Sequence, residues 1–463
     1  MFRARSLVRL ILGLLTSMAV ASAAQAEASE PASCRVRSMR RANRLARRAP
    51  IAPYYPQMPA EDGVVATAPA KESKQERDPE EGTSVPVTGD VLAVARSSNQ
   101  FAFELYKHAT EHDGNKFFSP ASISTALAMI YAGARDDTRK QMARVLHFDL
   151  PDPHLHNGFA GLNTILNARS KSYQLNVANR LWGQTGFPFE EAFLKSTLER
   201  YGAEPGAVDF AKAEQARQTI NHWVGEKTNG KIADLMPPGV LQENIRLVLT
   251  NAIYFKGTWQ YRFAKPETRQ APFHASKNRE IKVPMMQQTG GFQYAETVDA
   301  QLLELPYLGG HLAMVILLPK QVDGLPNLEK KLTANDVQQW LSGLAHAHEV
   351  EVYLPKFTFT SHISLKEVLS SLGMPRAFSD QADFSGLATE KAQKLYDVIH
   401  QAFVDVNEEG TEAAAVTGHV GGNAPGPVFQ TIVFRADHPF LFLIQDKRTG
   451  AILFLGRVVN PNG

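Results

Sequence analysis

The chain has 463 residues, of which 44% are hydrophobic and 21% are charged, and its formal net charge is +2. This balance is typical of a folded, soluble protein. It excludes a wholly disordered chain and a chain with enough net positive charge to bind polyanions such as nucleic acid strongly. The length alone suggests about three domains of ordinary size. There is one cysteine, Cys34, so an intrachain disulfide, a four-cysteine zinc site and a CxxC redox pair are all excluded.

The first 26 residues have the pattern of an export signal. Arg3, Arg5 and Arg9 precede an apolar stretch from Leu10 to Val20, and Ala24-Gln25-Ala26 then has the small-x-small form that signal peptidase accepts. We predict residues 1–26 as a signal peptide and a protein that is secreted, periplasmic or extracellular. The apolar stretch is too short for a stop-transfer helix, and nothing later approaches about 18 consecutive apolar residues, so no membrane span is predicted.

Residues 27–90 are predicted to be a disordered tail. Its first part, from Arg35 to Arg48, contains seven arginines and no acidic residue. Such a block attracts an anionic surface or nucleic acid, and it is also typical of a solvated arm, so both interpretations stay open. Its second part, from Pro50 to Gly89, is rich in Pro, Ala and Glu without apolar periodicity, as in a linker. Cys34 also lies in this tail, and no role is predicted for it.

A compact body is predicted for residues 91–463, with helical patterns first and strand patterns later. Phe101 to Tyr106 give one apolar helical face, and Ala126 to Ile130, after Ser119-Pro120, indicate a wholly buried helix. The predicted strands are Leu247–Phe255, Ala313–Leu318, Val350–Phe359, Tyr396–Val406, Pro439–Ile444 and Ala451–Val459. Several are nearly continuous apolar runs, which indicates that both faces are covered. The fold class is therefore α+β, with large sheets and helices packed on them.

Motifs for catalysis are weak. His108-Ala109-Thr110-Glu111-His112 matches the inverted zinc-peptidase motif, but Asp113-Gly114 ends the helix at once and no motif marks a third ligand. The pairs His154/His156 and His346/His348 could each bind a metal ion, but both pairs are predicted to lie in polar surface loops. No GxSxG elbow and no phosphate-binding GxxxxGK[ST] loop is present. We therefore predict a protein that is not an enzyme, with no catalytic residue, no metal site and no cofactor.

The most informative segment runs from Asn407 to Val416 and has the sequence NEEGTEAAAV. By itself it is compatible with a capped helix start. It continues, however, into Thr417 to Pro427, which is rich in Gly and Pro, carries no charge and leads into the last apolar strands. A long exposed loop directly after a strong strand is usually functional.

At this point the chain resembles the serpins. Phe117 to Leu127 (FFSPASISTAL) is similar to the family's early buried-helix motif, and Thr250 to Trp259 (TNAIYFKGTW) is similar to its central-sheet strand. The Glu408–Ala415 hinge, Phe434 to Phe440 (FRADHPF) and Leu455 to Pro461 (LGRVVNP) complete the pattern in order. The resemblance covers the body from about Val91 to Pro461.

The resemblance implies one domain with three β-sheets, about nine helices and an exposed reactive-centre loop. It also implies inhibition by a suicide-substrate mechanism, in which a serine protease cuts the loop and the cut loop inserts into the central sheet. The hinge of that loop would be Glu408, Glu409, Gly410, Thr411, Glu412, Ala413, Ala414 and Ala415. In an inserted strand Thr411, Ala413 and Ala415 would face inward, where small uncharged side chains fit, and Glu412 would face out. A non-inhibitory serpin that acts as a binding module remains the alternative.

The resemblance also implies two clusters around the opening of the central sheet. Ser119, Ser122, Asn251 and His400 match the polar shutter beneath that sheet. At the breach, where the loop enters, Trp259 is expected near the hinge, and Lys356 is expected to pair with Glu408.

The scissile bond is less determined. The family's usual spacing from Glu408 puts the residue before the bond at Ala424, although Pro425 then follows, and a count one residue shorter gives Asn423-Ala424. Counting back from Phe434 points nearer Val428. Because no basic residue lies in this loop, we predict an elastase-like or subtilisin-like target protease rather than a trypsin-like one, and a monomeric inhibitor.

Overall fold

The computed structural model describes residues 86–109, 114–168, 172–388, 394–411 and 431–463. The predicted signal peptide, residues 27–85 of the predicted tail with Cys34 and the arginine block, and hinge and loop residues 412–430 lie outside the described residues. Gly89 and Asp90, which end the predicted tail, lie in the first helix. The helices are α1 (Gly89–Ala109), α2 (Pro120–Tyr131), α3 (Asp136–Leu146), α4 (Asp152–Leu166), α5 (Glu191–Tyr201), α6 (Ala213–Lys227), α7 (Leu325–Lys330), α8 (Ala334–Ser342) and α9 (Lys366–Leu372).

Fifteen strands occur in the same ranges. They are β1 (Lys116–Phe118), β2 (Tyr173–Gln184), β3 (Gly206–Val208), β4 (Leu247–Thr258), β5 (Arg269–Ser276), β6 (Arg279–Glu296), β7 (Ala300–Pro306), β8 (Leu312–Pro319), β9 (Ala345–Pro355), β10 (Phe357–Ser364), β11 (Val398–Asn407), β12 (Gly410–Thr411), β13 (Ile432–Arg435), β14 (Phe440–Asp446) and β15 (Ile452–Val458). The α+β class is confirmed, and nine α-helices lie within the described ranges. None of the helices found there is long and apolar enough to span a bilayer.

Helix α2 illustrates how local chemistry fixes an element. Ser119 caps its first turn by accepting a hydrogen bond from the Ser122 backbone N–H, and Pro120 occupies the first helical position, where a missing N–H costs nothing. All twelve residues of α2 are buried. The helix is therefore an internal support, as its apolar sequence predicts.

The six-stranded sheet carries the candidate site. Its order is β10-β11-β12-β4-β2-β3, and β11 also pairs directly with β4. The two strands β4 and β11 run parallel, whereas the short β12 is antiparallel to both of them. This sheet therefore contains a seam between β11 and β4 that β12 enters at one end.

The other nine strands form one hydrogen-bonded network, ordered β1-β15-β14-β8-β7-β6-β9-β13 with β5 attached to β6. The 18-residue strand β6 is the reason for the single network, because it pairs with β5 from Arg279 to Met285, with β9 from Met285 to Tyr294 and with β7 from Gln293 to Glu296. Its register is irregular between Gly290 and Phe292. The resemblance implies two smaller sheets beside the central one, and here β6 joins their strands into one hydrogen-bonded network.

Two hydrophobic clusters cover the six-stranded sheet. The larger lies on its inner face and includes Leu249, Val398 and Val404. The smaller lies on its outer face beneath α6 and includes Val248 and Ile399 from the same two strands. Both faces of β4 and β11 are thus covered, which explains their nearly continuous apolar sequences.

Three local predictions were wrong. His154 and His156 lie in α4, where Leu155, Phe159 and Leu162 supply the buried face that the polar start of the helix obscures. His346 and His348 lie in β9, whose first residues are exposed and so lack the apolar alternation by which a strand is recognised. The run Val350–Phe359 is also two strands, since β9 ends at Pro355 and β10 begins at Phe357.

Candidate functional site: the hinge and the seam of the six-stranded sheet

The hinge enters the sheet as β12. Gly410 lies opposite Thr258 of β4 and Asn407 of β11, and Thr411 lies opposite Gly257 and Val406. Gly410 has φ +148°, and a Cβ atom there would lie 2.0 Å from the Gly257 carbonyl oxygen. Only glycine fits at this position, because any side chain would collide with the backbone of β4.

Beyond Thr411 the seam is closed. Strands β11 and β4 pair directly with each other from Val398 opposite Leu249 to Phe403 opposite Tyr254. The sheet is therefore parted by two residues at one end and hydrogen-bonded across the seam over the rest of its length.

Thr411 is held in a buried aromatic pocket. It is 1% exposed, and its Oγ1 lies 2.9 Å from the hydroxyl oxygen of Tyr307. The Tyr307 ring stacks on Trp259 with centroids 4.6 Å apart, and Trp259 Nε1 donates a hydrogen bond of 3.0 Å to the carbonyl oxygen of Asn407. The predicted breach residue Trp259 thus lies beside the hinge: its backbone N–H donates a hydrogen bond of 3.0 Å to the carbonyl oxygen of Glu409, and its ring supports the Tyr307 side chain that contacts Thr411.

Two lysines hold the hinge glutamates. Lys356 Nζ lies 2.9 and 3.1 Å from the two carboxylate oxygens of Glu408, and Thr268 Oγ1 donates to the same carboxylate at 2.8 Å. Lys265 Nζ lies 2.7 Å from Glu409. Burial by itself raises the pKa of Glu408, but the hydrogen bonds from Lys356 and Thr268 outweigh it, so the pKa lies below its usual value. Glu408 is therefore a buried, paired carboxylate in the native hinge.

The predicted shutter residues meet beneath the closed part of the seam. His400 Nε2 accepts a hydrogen bond from the Ser119 backbone N–H at 3.2 Å, so the ring proton resides on Nδ1, which donates to Asn251 Oδ1. Asn251 Nδ2 donates to Ser122 Oγ at 2.7 Å and to Asn179 Oδ1. Burial lowers the pKa of His400 to about 3, so the imidazole is neutral at physiological pH.

This cluster bridges the two strands of the seam. His400 of β11 and Asn251 of β4 lie directly opposite each other in the register, and both are fully buried. Parting β11 from β4 would break the hydrogen bond between their side chains. Because an unpaired buried polar group is costly, the cluster resists opening unless new partners replace the lost ones.

The structure brings the four shutter residues into one cluster, and it brings Trp259 and Lys356 to the hinge. The hinge residues Glu412, Ala413, Ala414 and Ala415 and the reactive-site candidates Asn423, Ala424 and Pro425 lie outside the described residues. Sequence reasoning did not single out Asn179, Tyr307, Thr268 or Lys265. Only Asn179 gives a local signal, as an amide in the middle of a long strand.

Comparisons with known proteins agree with this geometry. The model of the family described as "Serpin (serine protease inhibitor)" matches residues 96–461. The chain belongs to the serpin family. A leukocyte elastase inhibitor of Bos taurus is 43% identical over 378 residues, which are 80% of this chain and 99% of the relative.

Solved serpin structures have the same fold. Serpin48 of the insect Tenebrio molitor, described as a highly specific serpin, matches with a TM-score of 0.72 and 35% identity over 80% of this chain and 98% of its own. Human thyroxine-binding globulin in complex with thyroxine matches with a TM-score of 0.74 and 30% identity over 81% and 100%. The similar proteins thus include one named as a protease inhibitor and one named for binding thyroxine.

Proposed function

We propose that this serpin inhibits a serine protease as a suicide substrate. The protease serine attacks a peptide carbonyl in the loop, the peptide C–N bond breaks, and the loop stays attached to the enzyme as an ester. The cut loop then inserts between β11 and β4 before water can hydrolyse that ester. One observation carries this proposal: Gly410 and Thr411 already lie between these two strands as β12.

The register of β12 predicts the neighbours of an inserted strand. Because β12 is antiparallel to both strands, each further loop residue advances one position along β4 and β11. Ala413 would come between Phe255 and Val404, and Ala415 would come between Ile253 and Ala402. All four of those neighbours belong to the buried apolar cluster beneath the sheet. Small uncharged hinge residues fit there without displacing the core.

Thr417 is the next inward-facing residue in this register. It would lie between Asn251 and His400, the pair whose hydrogen bond must break when the seam opens. A threonine hydroxyl both donates and accepts, so it can replace the lost partner of each. The polar cluster would thus have two satisfied arrangements, one before and one after insertion.

The target class follows from the loop sequence and from the relatives. Asn423, Ala424 and Pro425 lie in an uncharged stretch of small residues, which suits elastase-like or subtilisin-like specificity pockets better than trypsin-like ones. The bovine relative is named as an inhibitor of leukocyte elastase, which supports the same class. We further propose that residues 1–26 direct the monomeric inhibitor out of the cytoplasm, and that the arginines from 35 to 48 hold it on an anionic surface.

The test is incubation of the mature protein with elastase, subtilisin and trypsin. We expect a complex stable in SDS with elastase or subtilisin, and sequencing of the released C-terminal peptide should identify a bond near Asn423 to Pro425. Rapid cleavage by every protease without any complex would contradict inhibition and favour the non-inhibitory binding module. That alternative is motivated by Pro425 and by the glycines at 418, 421 and 422, which weaken a strand.

A further inference from the structure

Two histidines meet on the surface of β9. His346 and His348 are exposed, and because they are two residues apart in one strand they project from the same face of the sheet. Their ring centroids are 5.2 Å apart and the ring planes make an angle of 89°. Neither residue belongs to the hinge or to the polar cluster beneath the seam.

This ring separation matches two imidazoles on one tetrahedral ion. A nitrogen–metal bond of about 2.0–2.1 Å and an imidazole half-width of about 1.1 Å put each centroid about 3.2 Å from the ion, so at the tetrahedral angle the centroids lie about 5.2 Å apart. A nitrogen–metal–nitrogen angle of about 90°, as in square-planar coordination, would bring the two ring centroids to about 4.5 Å from each other. Two imidazoles at this spacing can therefore bind one tetrahedral ion such as Zn²⁺.

The neighbouring strand β6 leaves room for these rings and supplies an oxygen. Gly291 lies beneath His346, and a Cβ atom there would come within 2.8 Å of the ring. Gln293 lies directly opposite His346 in the register, so its side chain shares the face of the two histidines. Its amide oxygen is a weaker donor than a carboxylate or an imidazole, and water can fill the remaining positions of the tetrahedron.

We propose that His346 and His348 form a surface site for Zn²⁺, with Gln293 beside it. Among the described residues there is no group of three or more His, Cys, Asp or Glu side chains that could hold a metal. The site is thus a two-histidine chelate, and the sequence-based prediction of no metal site rested on assigning this pair to a loop. Zn²⁺ would bind next to the end of the reactive loop, because Glu349 accepts a hydrogen bond of 2.8 Å from Thr431, just after residues 412–430.

The test is calorimetric titration of the mature protein, without any histidine tag, with Zn²⁺ alone. We expect one site per chain in the wild type and an affinity at least about tenfold lower in His346→Ala, in His348→Ala and in the double variant, because one imidazole cannot chelate. Zn²⁺ should also raise the heat-unfolding midpoint of the wild type and not that of the double variant, since it binds the native state.

The matched control removes two histidines from other elements, the exposed His154 of α4 and the partly exposed His274 of β5. The variant His154→Ala/His274→Ala should bind Zn²⁺ as the wild type does. Equal affinity in the wild type and in the His346/His348 double variant would overturn the proposal, as would the absence of any binding to the wild type. Replacement of Gln293 by Leu should weaken binding less than either histidine substitution.

Discussion

At the scale of single residues, His400 illustrates how burial sets the chemistry of the seam. The ring lies opposite Asn251, has no exposed surface and uses both nitrogens in hydrogen bonds. It accepts at Nε2, so a proton added there would lose the bond from Ser119 and would be buried without a counter-charge. The neutral ring is therefore part of the closed seam.

This predicts a pH dependence of native-state stability. The pKa of folded His400, about 3, lies below the ordinary value of 6.5, so the unfolded chain binds the proton first as pH falls. Stability is thus fully present above about pH 6.5 and declines toward pH 3 by at most about 1.4 kcal/mol per pH unit from this residue. Urea unfolding of the wild type and of His400→Gln between pH 7.5 and 5 should give a shallower pH slope for the variant.

The control is His222→Gln, at a side chain that is 78% exposed. That substitution should leave the pH slope as it is in the wild type. An unchanged slope in His400→Gln would mean that His400 does not control the acid response of the seam.

Thr411 supports a second prediction at this scale, because it is the first residue between the strands. Thr411→Arg would bury an unpaired charge against Tyr307, at a cost of several kcal/mol. We expect the variant to be cleaved by the target protease as a substrate, with little complex stable in SDS. Thr411→Ser, which keeps the hydroxyl, is the control and should still form the complex. A stable complex with the arginine variant would refute loop insertion.

At the scale of elements, the hinge is a short strand fixed at its start by side chains from other elements. Lys356 follows β9, Thr268 lies before β5, and both contact Glu408. The backbone N–H groups of Trp259 and Phe263 also donate to the carbonyl oxygens of Glu409 and Glu408. This anchoring fixes where β12 enters, and hence the register in which the loop would continue.

Charge reversal tests that anchoring. Lys356→Glu and Glu408→Lys each bring like charges together in a largely buried place, so each should cost about 1–3 kcal/mol of native-state stability. The double reversal should recover most of the loss, measured as heat-unfolding midpoints in a double-mutant cycle. The control is the exposed pair Lys277 and Asp323, whose reversals should change the heat-unfolding midpoint much less. Additive losses at Lys356 and Glu408 would rule out direct pairing as the source of the stabilisation.

The same register makes a prediction about His419. It would lie between Leu249 and Val398 in an inserted strand, and both of those side chains are fully buried in the apolar cluster. An imidazole there has no polar partner among these neighbours, so it opposes the last part of insertion. His419→Leu should raise the fraction of protease trapped as complex, most strongly below about pH 6.5, where a free histidine is charged. His419→Asn keeps the polarity and should give no such gain.

At the scale of the whole molecule, the body has no covalent cross-link, since the only cysteine is Cys34. If the inserted form is the more stable one, the native state is maintained by the closed seam and by the barrier to opening it. The outer cluster beneath α6 adds to that barrier. It packs on β4 and β11 together, and a new strand between them would move them apart by about 4.8 Å.

Cleavage of the loop should therefore change the stability of the whole body. We expect a protease nick near Ala424 to raise the heat-unfolding midpoint strongly, because the inserted strand replaces the hydrogen bonds between β11 and β4 with hydrogen bonds on both of its sides. Scanning calorimetry of the intact and the nicked protein measures this midpoint. The control is nicked Thr411→Arg, whose midpoint should not rise. An unchanged midpoint after cleavage would favour the non-inhibitory alternative.

The sequence by itself determined the class of fold and the character of individual segments. Continuous apolar runs indicated covered strands, the motif around Ser119-Pro120 indicated the buried helix, and the small residues after Gly410 suited a strand that must be buried later. These properties depend on residues close together in the chain, so a local pattern contains them. The same locality explains the errors at His156 and His348, where neighbouring polar residues concealed a helix and a strand.

Only the tertiary structure decided which residues face each other across the seam. His400 and Asn251 are 149 positions apart, and Thr411 and Tyr307 are 104 apart. Contacts over such separations depend on strand order and register, which no local pattern contains. Register also assigns Thr417 to the polar pair and His419 to an apolar position, and it brings Asn179 into the cluster. The sequence thus supplied the side chains of the hinge and the seam, and the pairing of β12 with β4 and β11 decided which of them can act on one another.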